Sequence, residues 1–268
     1  MTSGKPHRRT LIATIATVIV VTLFVILRVL WLPWISPSYA ADMLATDDGI
    51  GLAFWVPSAA SHGGVRVIKP MAISTNSFAL LRPVAAFTLL DIVSHEPAHE
   101  LVQVVPTLLE AHSAVGRMLG FLAAYRAEVA LVDRAQRSDE VLTIASQSVI
   151  DNDIATAIAL RVGGATGLNE VEPAVIRNLA SAATPSMIVS ASCVAAAGIS
   201  NSSDLEAALS AALLRLQFSD RSACASALVT KVGGKARSSL EEAIKLESDP
   251  AQKKMLGAIL YDLQKPAK

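Results

Sequence analysis

The feature that most constrains this chain is a long apolar run near its amino terminus. Residues 10–27 carry no charge, and the apolar stretch continues past the single Arg28. A helix rises about 1.5 Å per residue, so about 20 apolar residues cross the hydrocarbon core of a bilayer. Trp31 and Trp34 lie where the aromatic belt of a membrane surface is expected. The run therefore predicts a transmembrane anchor over residues 10–35.

Charge is unevenly distributed about this run. The basic residues that precede it are Lys5, Arg8 and Arg9, and after Arg28 the next basic residue is Arg66. Basic residues flanking a span stay in the cytoplasm. We therefore expect a single-pass protein with a cytoplasmic tail (residues 1–9) and an extracytoplasmic carboxy-terminal domain, periplasmic if the source is a Gram-negative bacterium.

A cleaved signal peptide is the alternative to an anchor. Ser38-Tyr39-Ala40 has small residues at the two positions that a signal peptidase inspects. The apolar cores of signal peptides are about 7 to 15 residues long, which is shorter than this run. The length favours an uncleaved anchor, and cleavage after Ala40 stays open.

The part of the chain beyond the anchor is mildly acidic. Residues 41–268 hold 19 of the 23 basic residues and all 23 acidic residues, a net charge of −4. Proteins that bind nucleic acid need a basic surface, so we expect no nucleic-acid partner. Aromatic residues make up only 4% of a chain that is 52% hydrophobic, and this favours closely packed Ala- and Leu-rich helices in an all-α fold.

Residues 36–75 differ from the rest of this domain. Glycines and prolines separate short apolar stretches there. Residues 64–68 (Gly-Val-Arg-Val-Ile) alternate briefly, as a strand does. We predict a linker and an irregular lead-in with one or two short strands.

Residues 76–268 carry apolar residues three and four apart, which predicts a helical domain. In the last helix, Met255, Ile259 and Leu263 predict the inner face. Helix starts are predicted by capping boxes at residues 203–206 and 239–242 and by acid-Pro-Ala tripeptides at residues 96–98, 172–174 and 249–251. Helix stops are predicted by glycines at residues 163–164, 198 and 233–234.

These starts and stops recur at regular intervals. The acid-Pro-Ala tripeptides lie 76 and 77 residues apart, and residues 155–164 align with residues 225–234. Each interval holds two units of about 35 to 38 residues, the length of a two-helix repeat. Short Ala- and Leu-rich helix pairs with Asp/Glu-Pro at a helix head resemble HEAT repeats over about residues 94–263. The resemblance implies an α-solenoid, and an irregular helical bundle is the alternative because it has similar caps.

The one motif typical of catalysis is His95-Glu96-Pro97-Ala98-His99, which matches the HExxH pattern of zinc peptidases. On a helix this spacing places both imidazoles on one face to bind zinc, with the glutamate beside a metal-bound water. Pro97 disfavours such a helix by about 3 kcal/mol or more. We therefore expect the histidines to lie on either side of a helix start, and we assign no metal, cofactor or catalytic residue.

A third zinc ligand is not found at a recognisable spacing. Val102 and Val105 stand where a metzincin has its glycine and third histidine. Glu110, His112 and Glu128 are candidate ligands without any specific spacing.

The two cysteines, Cys193 and Cys224, lie in Ala-rich helical patterns where a free cysteine serves as a small apolar residue. Export would permit a disulfide between them, and their pairing stays open.

The sequence thus favours a membrane-tethered extracytoplasmic scaffold that binds a protein or peptide through a helical-repeat surface, without catalysis. Solenoids present extended concave surfaces of this kind. A membrane-anchored zinc hydrolase centred on residues 95–99 is the alternative.

Overall fold

The computed structural model describes residues 17–24, 32, 36–46, 56–68, 83–147, 153–215 and 221–264. Within these ranges the regular structure is helical and includes no strand, which confirms the all-α prediction. The α-helices are α1 (Pro37–Thr46), α2 (Val56–Gly63), α3 (Pro83–His95), α4 (Ala98–Leu101), α5 (Val105–Leu109), α6 (Ala114–Arg126), α7 (Arg134–Ser146), α8 (Asp153–Ala165), α9 (Glu172–Ala180), α10 (Ser186–Gly198), α11 (Ser203–Leu213), α12 (Arg221–Val232), α13 (Arg237–Leu246) and α14 (Pro250–Gln264). The 3₁₀ turns Asn169–Val171 and Gly233–Ala236 precede α9 and α13.

The predicted anchor over residues 10–35 falls mostly outside the described residues. Residues 17–24 of it are helical and exposed. Among the described helices, none combines the length and the apolar character needed to cross a bilayer. The predicted cytoplasmic tail, residues 1–9, lies outside the described residues altogether.

The strand predicted at residues 64–68 is wrong. Residues 65–68 are helical, and the amide of Val67 donates to the carbonyl of Gly64 at 3.0 Å. Val67 and Ile68 are both fully buried while Arg66 is exposed. A strand would point two successive side chains to opposite faces, whereas a helical turn buries both. The lead-in is thus helical where the structure describes it, in α1, α2 and the turn after α2.

Helices α6 and α8 to α14 pack in two rows, and α7 packs on α6 and α8. In the first row α6, α8, α10, α12 and α14 each pack on the next member, and in the second row α9 packs on α11 and α11 on α13. Helices that follow one another in the chain also pack across the rows, as α9 with α10, α11 with α12 and α13 with α14 do. One apolar core extends through both rows. Helices α1 to α3 join its amino-terminal end through α3, which packs on α6 and α8.

All three acid-Pro-Ala tripeptides begin a helix, as predicted. Helix α4 follows Pro97, while α9 begins at Glu172 and α14 at Pro250. At α14 the amide of Ala251 donates to Asp249 Oδ1 at 2.8 Å. The proline costs no hydrogen bond at a first helical position, because the amide it lacks would have no partner there.

Both predicted capping boxes are wrong. Helix α11 is capped by Ser202, one residue earlier than predicted, whose Oγ accepts from the amide of Leu205 at 3.1 Å. The carboxylate of Glu206 accepts from Asn201 Nδ2 at 2.6 Å. Ser239 lies inside α13, because the preceding 3₁₀ turn runs directly into that helix.

The helix stop predicted at residues 163–164 is also wrong, since both glycines lie inside α8. Gly164 lies where α8 crosses α10, and Gly163 lies against the 3₁₀ turn that precedes α9. A Cβ on Gly164 would be 2.7 Å from the Ala195 carbonyl oxygen, and one on Gly163 would be 2.6 Å from Val171 Cγ1. These residues are glycine because the neighbouring elements leave no room for a side chain, and the turn with positive φ is made at Gly167.

Helices end at the other two predicted stops, but only one of them has a left-handed glycine. Gly198 is the last residue of α10 and its φ is not positive; a Cβ there would collide with the carbonyl of Gly164. Gly233 follows α12 with a φ of 55°, a left-handed conformation that glycine adopts without steric cost.

Two of the three residues predicted for the inner face of the last helix pack on the core, and the third, Met255, is wrong. Leu256 is the fully buried side chain of α14, whereas Met255 is 48% exposed. Ile259 and Leu263 are partly buried against the core. The buried face of α14 therefore overlaps the predicted one, with Leu256 in place of Met255.

Three basic side chains connect the end of one helix to the last carbonyls of a helix 30 to 36 residues earlier. The pairs are Arg126 with Val93 and Glu96, Arg215 with Leu179, and Lys231 with Ile199. Cations bind well there, because the last carbonyls of a helix lack intrahelical partners. The separation is close to the predicted repeat unit of about 35 to 38 residues.

A buried ion pair joins α12 to the loop between α13 and α14. Arg221 Nη1 donates to Glu247 Oε2 at 2.7 Å, and both residues are less than a tenth exposed. Arg221 Nη2 also donates to the carbonyl of Arg215 at 2.7 Å, and Glu247 Oε1 accepts from the amide of Asp249 at 2.9 Å. The pair therefore ties the junction between α11 and α12 to the junction between α13 and α14.

A disulfide links the first-row helices α10 and α12. Cys193 and Cys224 are bonded, with their Cα atoms 4.7 Å apart, and both are fully buried. The pairing that the sequence leaves open is thus present in the structure.

Reducing this disulfide is expected to lower the free energy of unfolding by about 2 to 4 kcal/mol, because the bond restricts a loop closed over 31 residues in the unfolded chain. Urea unfolding of the full chain in detergent, with and without reductant, measures the loss. The Cys193→Ala/Cys224→Ala variant is the control and should not respond to reductant. Equal midpoints for the parent in both conditions would contradict the expectation.

Candidate functional site

The histidines of the zinc-peptidase motif lie on two different helices, as Pro97 predicts. Helix α3 ends at His95, Pro97 is extended (φ −60°, ψ 141°), and α4 begins at Ala98. His95 Nδ1 is 3.0 Å from Asp91 Oδ1, on its own helix. The side chains of His95 and His99 are 78% and 79% exposed. Each histidine thus faces solvent.

No group of three His, Cys, Asp or Glu side chains is arranged to hold a metal ion among the described residues. The candidate third ligands are dispersed around the motif. Glu110 ends α5, the carbonyl of His112 accepts from Arg117, and Glu128 follows α6. The structure therefore does not bring these residues together with His95 and His99 as a metal site.

Glu96 is the residue of the motif with the most unusual environment. Burial raises the pKa of its carboxyl, the charge and hydrogen bond of Glu100 raise it further, and Arg126 opposes the shift. The backbone of Gly64 lies against it, so closely that a Cβ there would be 2.8 Å from Glu96 Cδ. This carboxyl therefore lies in the contact between the lead-in and the helical array.

Replacing Glu96 with glutamine is expected to stabilise the protein at pH 7. A raised pKa means that the native state holds the proton more tightly, so stability falls as pH rises from the unfolded pKa near 4.5 through the higher native pKa. Glu96→Gln removes the charged carboxylate. The variant's gain in free energy of unfolding over the parent should therefore shrink as the pH is lowered to 4. Urea unfolding midpoints of variant and parent at pH 7 and pH 4 measure this gain. Glu110→Gln, a change at an exposed glutamate, is the control. A variant less stable than the parent at pH 7 would contradict this sign.

Arg126 connects this motif to a cavity at the end of α6. Its Nη1 donates to the carbonyls of Val93 and Glu96 at 2.6 and 3.0 Å, at the end of α3. It also lines a cavity of about 580 Å³, formed by the last turns of α6, the loop of residues 128–131 and Arg134 at the start of α7. This volume lies in the range of small-molecule and peptide pockets.

The cavity has a fixed wall and an exposed apolar rim. After α6 the amide of Val129 donates to the carbonyl of Ala124 at 2.9 Å, and Glu128 adopts a left-handed φ of 55°. This hydrogen bond closes the end of α6, so the wall is held by the backbone. Tyr125, in the last turn of α6, lines the cavity and is 44% exposed. Val132, which directly follows the lining residue Leu131, is fully exposed.

The cations beside the cavity differ in how they are paired. Arg137 binds Asp133 Oδ2 at 2.8 Å, and Glu140 binds Arg117 at 2.5 Å. Arg134 is exposed and has no acidic partner among the described residues. It is also the first residue of α7, where the helix dipole disfavours a cation.

Comparisons with protein-family models, with curated proteins and with solved structures found no match to this chain. The described residues around the cavity provide apolar surface and charge but no nucleophile beside a base. The arrangement can therefore bind a ligand. The sequence does not predict the cavity, because the cavity depends on the turn after α6, where Glu128 takes a conformation usually adopted by glycine.

Proposed function

We propose that this chain is a membrane-tethered extracytoplasmic scaffold that binds a protein or peptide through the surface of a HEAT-like helical array, without catalysis. The observation that carries the proposal is the 580 Å³ cavity at the end of α6, with Tyr125 exposed in its lining and Val132 exposed next to the lining residue Leu131 in the chain. Exposed aromatic and apolar side chains beside a concave site are typical of recognition surfaces.

The packing supports a HEAT-like repeat over an irregular bundle. Each first-row helix from α6 to α12 packs on the next member of its row, and neighbours in the chain pack across the rows. The three basic side chains that bind helix ends do so over 30 to 36 residues. Repeats that contact mainly their neighbours have this organisation.

Two observations support an extracytoplasmic domain with an uncleaved anchor. A disulfide persists outside the reducing cytoplasm, and Cys193 and Cys224 are bonded. Ala40 and Ala41 are fully buried within α1, so cleavage after Ala40 would cut a helix that packs on the core. The positive charges before the apolar run support the same orientation.

Photo-crosslinking of the full chain in living source cells tests the binding function. A photoreactive amino acid at Val132 is expected to give an adduct of discrete mass that contains a second protein. The same amino acid at Lys253, exposed on α14, is the control and should give none. Failure to obtain an adduct at Val132, or equal adducts at both positions, would contradict binding through this surface.

A further inference from the structure

The cavity at the end of α6 combines an apolar wall with a charged rim. Phe121, Val129 and Leu131 provide the apolar side, and Phe121 is almost fully buried. Arg126, Glu128 and Arg134 provide the charges. A ligand that fills this cavity must therefore offer both an apolar group and a polar or charged one.

The charges favour an anionic group. Arg126 donates to neutral backbone carbonyls, which hold its guanidinium in place without cancelling its charge. Glu96 lies close enough to Arg126 to feel that charge, so Arg126 is partly compensated. Glu128 is exposed and is the single acid among the described lining residues. Arg134 is thus the cation best placed to accept a new partner.

Arginine suits a carboxylate in particular, because its planar guanidinium can donate two parallel hydrogen bonds to the two oxygens. Two neighbouring carboxylates are already engaged, since Asp133 pairs with Arg137 and Glu140 with Arg117. Glu128 also lines the cavity but forms no ion pair with Arg134 in the described part of the chain. A carboxylate that binds Arg134 must then come from outside this ion-pair cluster.

The exposed rim indicates a peptide as the source of that carboxylate. Tyr125, in the last turn of α6, is an exposed aromatic residue of the lining, and Val132, which directly follows the lining residue Leu131, is exposed in the loop after α6. A cavity of about 580 Å³ holds a few side chains, and the rim then contacts the rest of the segment.

We propose that this cavity binds a short acidic and apolar peptide segment of a partner protein, with an apolar side chain against Phe121 and Leu131 and a carboxylate on Arg134. The inference rests on the proposed binding function and names the chemistry of its partner. It assigns Arg134 as the residue that determines the preference for an acidic segment.

Fluorescence anisotropy with the full chain in lipid nanodiscs tests the proposal. The probes are three pools of fluorescein-labelled hexapeptides that alternate apolar residues with acidic, basic or uncharged polar residues. The acidic pool is expected to bind at least tenfold more tightly than the basic pool. Arg134→Glu should weaken binding of the acidic pool at least tenfold, because it replaces a charge-assisted hydrogen bond with repulsion.

The exposed Arg177→Glu variant is the matched control, because Arg177 is an exposed helical arginine that does not line the cavity. Arg134→Glu should fold at least as stably as the parent, since an acid is favourable at a helix start. The proposal is overturned if no pool binds, if the acidic and basic pools bind equally, or if Arg134→Glu weakens binding no more than Arg177→Glu. If cells that carry the Arg134→Glu variant still give the crosslinked adduct at Val132, the proposed partner binding is retained. The assignment of an acidic segment to Arg134 is then wrong.

Discussion

Replacing Gly164 with valine is expected to lower the free energy of unfolding by about 3 kcal/mol or more, at the upper end of the cost of overpacking. Gly164 is buried inside α8, and a Cβ there would lie 2.7 Å from the carbonyl oxygen and 3.0 Å from the carbonyl carbon of Ala195 in α10. Those atoms belong to the backbone, so no rotamer change relieves the contact. The two helices would have to separate, and the loss is measured by urea unfolding of the full chain in detergent.

Gly257→Ala is the matched control for this prediction. Gly257 also lies inside a helix, α14, but a Cβ there would have no atom within 4 Å. Alanine is the better helix former, so this variant should gain up to about 1 kcal/mol. If Gly164→Val and Gly257→Ala changed stability equally, the close crossing of α8 and α10 would be contradicted.

Replacing Arg221 with methionine is expected to cost about 3 to 5 kcal/mol, because the change leaves the carboxylate of Glu247 buried without its cation. Arg221 is 1% exposed and Glu247 is 8% exposed, so water cannot replace the lost partner. The hydrogen bond to the carbonyl of Arg215 is lost at the same time. Urea unfolding of the full chain again measures the effect.

Two further variants separate the ion pair from simple loss of packing. Arg221→Met/Glu247→Leu removes both charges and should recover much of the stability, since an apolar pair can replace a buried ion pair. Arg237→Met breaks the exposed pair between Arg237 and Glu241, which is 2.8 Å long, and should cost less than about 1 kcal/mol. If Arg221→Met cost no more than Arg237→Met, the buried pair would not hold the helix junctions together.

The sequence predicted the features that depend on local chemistry. Pro97, Pro173 and Pro250 begin helices because a missing amide and a fixed φ act within one turn of the chain. For the same reason the sequence correctly placed His95 and His99 on either side of a helix start.

The features that the sequence missed depend on contacts between distant residues. Gly164 looks like a helix stop until its contact with Ala195, 31 positions away, shows that it makes room for a neighbouring backbone. The ion pair between Arg221 and Glu247 spans 26 positions and has no local pattern. The cavity likewise depends on how the turn after α6 meets the start of α7, and no motif in residues 121–134 predicts it.

The proposed function depends on where the helical array resides. A reporter enzyme that is active only outside the cytoplasm, fused after Lys268, tests this location most directly. The basic residues before the apolar run and the bonded pair Cys193 and Cys224 both predict an active fusion. The matched fusion of a reporter that is active only inside the cytoplasm should be inactive. Activity of the cytoplasmic reporter alone would contradict the account, because the array would then lie on the wrong side of the membrane.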